Sequence, residues 1–65
     1  MNKYRGLKGI SDLEFNHPEV SKEAIKTARR IITQMPHVNP LNNGGIDLEW
    51  DDALICIKPD GNVEE

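Results

Sequence analysis

Sulfur chemistry is scarce in this chain of 65 residues, which holds a single cysteine, Cys56. A disulfide framework and a cysteine-built zinc site both need several thiols, so both are excluded and a reducing compartment fits. Aromatic residues are equally few, one Trp, one Tyr and one Phe. That leaves no platform on which nucleic-acid bases could stack, and it implies a lean core. No apolar run approaches the roughly 18 residues of a membrane span, and residues 1–9 lack the apolar centre of a secretory signal. The expectation is therefore a cytoplasmic protein with no membrane association. The formal net charge of −3 is too mild to identify a partner and argues weakly against indiscriminate binding to nucleic acid. Repeats and low-complexity segments are absent. At this length the chain reads as one small domain, residues 1–65, whose core supplies only a few kcal/mol of net stability. A homodimer or a larger partner would be a natural supplement.

The most informative stretch is GGIDLEWDDALICIKPDG, Gly44 to Gly61. Two runs of period-two alternation flank an acidic pair, with turn residues at both ends, which is the pattern of a β-hairpin. A turn centred on Asp51 and Asp52 pairs Trp50 with Ala53, Leu48 with Ile55 and Ile46 with Ile57, and puts all six side chains on one face. Asp47, Glu49, Leu54, Cys56 and Lys58 then share the other face, a mixed and mostly solvated set. Upstream, residues 37–41 suit a short strand, with Pro40 at an edge or a bulge because a central strand cannot spare an N–H. The sheet then spans 37–58 as a meander.

A helix is expected over residues 17–35. Asn16, Pro18 and Glu19 compose a capping box, and no Gly or Pro follows before Pro36. Val20, Ala24, Ile25, Ala28, Ile31, Ile32 and Met35 form its apolar arc. Lys22, Lys26, Arg29 and Arg30 occupy the opposite arc, and their late position suits the helix field. Phe15 would pack against Val20 as a hydrophobic staple. Residues 1–9 read as a flexible basic arm. The resulting fold class is α+β, one amphipathic helix packed on a two- or three-stranded antiparallel sheet. Val20, Ala24, Ala28, Ile31 and Met35 would meet Ile46, Leu48, Trp50, Ile55 and Ile57.

Candidate chemistry is thin. His17 and His37 bracket the expected helix and so would stand about 30 Å apart, too far to share a metal or a proton. Asp47 and Glu49, two apart on a strand and about 7 Å from each other, formally suit an inverting carboxylate pair. A domain this small would struggle to build the ~300 Å³ pocket that such catalysis needs. The Asp51–Asp52 turn lacks the alternating ligands of a calcium loop. No catalytic, cofactor or metal residues are assigned, and an enzyme is not expected. The acidic hairpin remains: Asp47, Glu49, Asp51 and Asp52 with Trp50 or Leu54 as an apolar anchor could dock on a basic patch of a larger protein. Alternatively, Lys22, Lys26, Arg29 and Arg30 could contact nucleic-acid phosphates. A small self-assembling subunit is a third possibility.

The GGIDLEW stretch and the KPDG turn resemble short uncharacterised bacterial and phage proteins. The residues that carry this are Pro36, Pro40, Gly44, Gly45, Ile46, Leu48, Glu49, Trp50, Pro59, Asp60 and Gly61, covering roughly the second half of the chain. The resemblance implies a compact accessory protein that binds a host or bacterial protein, as an inhibitor or regulator, and no particular activity.

Overall fold

The computed structural model describes residues 4–64. Two helices, α1 (Gly6–Asn16) and α2 (Lys22–Ile31), precede four strands, β1 (His37–Pro40), β2 (Ile46–Glu49), β3 (Leu54–Ile57) and β4 (Val63–Glu64). The strands form an antiparallel meander in the order β1-β2-β3-β4. The fold class is α+β, and both helices pack on one face of the sheet.

The hairpin has the register its alternation dictates. Ile46 lies opposite Ile57, Leu48 opposite Ile55, and the Trp50 N–H donates to the Ala53 carbonyl at 2.8 Å to close the turn. Ile46, Leu48 and Ile57 are fully buried, whereas Trp50 and Ile55 are only partly covered. Each fully buried Ile or Leu contributes about 1.5–3 kcal/mol. β1 extends the sheet, with Val38 opposite Leu48 and Pro40 opposite Ile46. The Val38 N–H turns away from β2 to meet the Tyr4 carbonyl at 3.0 Å. Pro40, two residues on, faces the same outer side, so its missing N–H costs no ladder bond.

The helical region differs from the single helix expected over 17–35. α1 lies where a flexible arm was expected for residues 1–9. Residues 1–3 of that arm lie outside the described part, but Tyr4 and Arg5 pair with the outer edge of β1 and Gly6 begins the helix. α1 buries Ile10 and Leu13, and its glycines permit the tight entry. A Cβ on Gly9 would stand 2.7 Å from the Tyr4 carbonyl carbon. Asn16 ends α1 instead of capping a following helix, and Phe15 is 86% exposed, so no staple forms. Pro18 disfavours helical backbone at His17, which breaks the chain between the helices.

Ser21 is the cap of α2. Its Oγ accepts from the Ala24 N–H at 3.0 Å and donates to the Pro59 carbonyl, and its own N–H donates to the Gly44 carbonyl at 2.9 Å. The start of α2 is thereby fixed to the β1–β2 and β3–β4 loops. The helix stops at Ile31 and not at Met35, because Ile31, Ile32 and Thr33 are consecutive β-branched residues with little helix preference and Pro36 follows. Ile32 is already extended, and Gln34 turns through a positive φ of 58°. Met35 is consequently 62% exposed and takes no part in the core, while Ile10, Leu13, Ile25 and Val38 do.

Candidate functional site

At the turn end of the hairpin the chain forms an open cleft of about 450 Å³. Glu49 comes from the last position of β2, and Trp50, Asp51 and Asp52 come from the turn that follows. Arg5 from the start of α1, Gln34 and Met35 from the α2–β1 connection, and His37 complete the lining. Four of the six acidic-hairpin candidates thus meet in one concavity. Asp47 and Leu54 fall outside it. The cleft exceeds the volume that seemed attainable for so small a domain, because it opens between the sheet end and the connection and does not compete with the core.

Trp50 is half-buried, and its Nε1–H donates to the Thr33 carbonyl at 3.0 Å. This bond ties the hairpin turn to the segment that follows α2 and orients the Trp50 ring in the wall of the cleft. Glu49, Asp51 and Asp52 are exposed. Among the described residues the ion pairs are Lys8–Asp12, His17–Glu19, Arg29–Glu14 and Lys58–Glu64, none of which involves the cleft acids. Arg5, the one lysine or arginine that lines the cleft among the described residues, donates to the Met35 carbonyl at 3.3 Å. The three carboxylates therefore share a concavity with Arg5 but form no ion pair among the described residues, and a further cation that enters relieves their mutual repulsion. His37, opposite Glu49 in the ladder, holds its Nδ1 buried with no hydrogen-bond partner.

Asp47 lies on the outer sheet face between Asn39 and Cys56, with one carboxylate oxygen buried and unpartnered. Its carboxylate accepts from the protonated Cys56 thiol and so pushes the thiol above its ordinary pKa, helped by desolvation and by the charges of Asp47 and Glu64. A raised thiol is a poor nucleophile at neutral pH. Leu54 is 52% exposed on that same face, opposite Glu49.

On the far side, Lys22, Lys26 and Arg30 are exposed along α2 and take part in none of the ion pairs among the described residues. Arg29 differs from them. It bonds Glu14 at 2.9 Å and braces α2 against α1. The histidines are closer than the single-helix geometry implied, since His17 stands against Tyr4 and the next residue, Arg5, pairs with His37. His17 instead stands edge-on to Tyr4, with ring centroids 5.9 Å apart, and meets Glu19 at 3.1 Å. A hydrogen bond from its own backbone amide and the bond to His17 lower the pKa of Glu19. No group of three His, Cys, Asp or Glu side chains among the described residues is placed to hold a metal ion.

Sequence reasoning missed Arg5, Gln34, Met35 and His37 as cleft residues. His37 was within reach, because a strand at 37–41 beside β2 puts it near Glu49. Arg5 was not, since nothing local signals that residues 4 and 5 fold back on the sheet. No helix is long and apolar enough, among the described residues, to cross a membrane. No family model matches the chain, and no curated protein and no solved structure matches it.

Proposed function

We propose that the chain is a small non-enzymatic protein-binding module that uses the cleft at the hairpin turn to engage a basic segment of a larger protein, as an inhibitor or regulator. The observation that carries this is the convergence of Glu49, Asp51 and Asp52 in one concavity of about 450 Å³ with no ion pair among the described residues. A lysine or arginine side chain suits that site: its charge meets the carboxylates while its stem rests on Trp50 and Met35. Leu54 and Asp47 would extend the contact over the outer sheet face. The single thiol is in keeping with a reducing cytoplasm, and the likeness of the GGIDLEW and KPDG stretches to short bacterial and phage proteins fits a host-directed role.

Trp50 serves as the reporter, being the chain's one tryptophan and part of the cleft. Titration with a lysine- and arginine-rich peptide should change its fluorescence, and a glutamate-rich peptide of equal length should not. Binding should weaken as salt rises from about 0.01 M to about 1 M, over which the screening length falls from about 30 Å to 3 Å. Equal response to both peptides, or retained affinity in Glu49→Gln/Asp51→Asn/Asp52→Asn, would refute the assignment.

A second reading, a nucleic-acid-binding accessory, draws on the exposed cations of α2. With Arg29 committed to Glu14, three cations remain, so the logarithm of affinity for a DNA duplex should fall with the logarithm of salt with a slope of about −2.7. No binding at low salt would dismiss it.

A further inference from the structure

The same molecule carries two charged surfaces of opposite sign. Lys22, Lys26 and Arg30 follow one another at four-residue steps, so they stand in a row on the exposed side of α2, rising about 6 Å per step. None is ion-paired among the described residues, and neither is Glu49, Asp51 or Asp52. The row is convex, being the ridge of a helix, and the acidic site is concave. Both helices cover the inner face of the sheet, and the row points away from it, while the acids belong to the last residue of β2 and the turn beyond. No ion pair among the described residues joins the two sets, and pairing between copies is left open.

We infer that a second copy of this chain is an occupant of the cleft, with the α2 ridge of one molecule entering the acidic concavity of the next. This rests on the cleft reading above and names a partner for it. Three cations meet three carboxylates, and the lysine and arginine stems cover the exposed Met35 and the half-buried Trp50. The two contacting surfaces differ, so the association is heterologous and grows as a chain or closes as a ring. A ridge only about 12 Å long makes a small contact, which places the association in the weak, transient class with strong salt dependence.

Sedimentation velocity on the full chain tests this. At about 0.01 M salt the weight-average mass should climb from 7.3 kDa toward twice that value or more as protein concentration rises, and at about 1 M salt it should stay at 7.3 kDa. The variant Lys22→Glu/Lys26→Glu/Arg30→Glu should be monomeric alone, as should Glu49→Lys/Asp51→Lys/Asp52→Lys. Mixed in equal amounts they should associate again, since each supplies the sign the other has lost. Glutamine and asparagine versions of the same triples, which add no new charge, should likewise be monomeric if a reversed variant fails to fold. A wild type that stays monomeric at low salt, an association that survives either neutralised triple, or folded reversed variants whose mixture stays monomeric would overturn the inference. A monomeric wild type that still binds the lysine- and arginine-rich peptide through Trp50 would overturn self-association and leave the cleft reading standing. One that binds neither peptide nor its own copies would overturn both.

Discussion

Replacing Ser21 tests whether one hydroxyl joins helix and sheet. Its Oγ accepts from the Ala24 N–H and donates to the Pro59 carbonyl, so the group acts both as a cap and as a cross-link. Loss of a serine cap costs about 1 kcal/mol. Loss of the donor leaves a part-buried carbonyl short of a partner, which costs about another 1 kcal/mol. Ser21→Ala should therefore destabilise by about 2 kcal/mol, a large share of the few kcal/mol expected at this size, and lower Tm by roughly 8–16 °C. Ser21→Thr keeps both bonds and should lie close to the parent. Ser21→Asp separates the two roles: its carboxylate caps well but cannot donate to the Pro59 carbonyl, so it should recover the cap and still lose about 1 kcal/mol. Urea unfolding followed by Trp50 fluorescence and by far-ultraviolet circular dichroism measures all three. If Ser21→Asp matched the parent, the cross-link would be worth nothing and the reasoning would be wrong.

Gly45→Ala should destabilise by about 1–3 kcal/mol, because its Cβ would clash with the Ile57 carbonyl oxygen, which sits on the β3 backbone and cannot swing aside. An unchanged urea midpoint would refute the close approach of the two strands. Asp47→Asn should bring the Cys56 thiol back toward its ordinary pKa by removing the acceptor charge beside it. Alkylation near pH 8 should then run faster than in the parent, and the pH profile should move to lower pH. A rate equal to or below the parent's would exclude Asp47 as the cause.

The hairpin was legible because side-chain alternation and the Asp51–Asp52 turn are local and agree with each other. Its register follows from those signals alone, and the missing N–H of Pro40 points to an edge or a bulge, of which the structure has the edge. The helices were legible only in part. Asn16, Pro18 and Glu19 form a persuasive local cap, yet Ser21 serves as the cap because Gly44 and Pro59, distant in sequence, supply its other partners. α1 escaped notice because it buries only Ile10 and Leu13 among its large apolar residues while exposing Leu7 and Phe15, which blurs its period. β4 is two residues long and carries no pattern at all. The acidic half of the cleft could be named from the sequence, whereas Arg5 and Met35 arrive there by tertiary folding.

The outer margin of β1 has a further consequence. Tyr4 takes the outward N–H of Val38, Arg5 bridges His37, and Pro40 offers no N–H of its own. Strand-by-strand growth into fibrils therefore finds no template on that side of the sheet. A chain this small, opening briefly during its lifetime, thus carries a built-in safeguard against amyloid at the margin where its longest run of backbone would otherwise be offered.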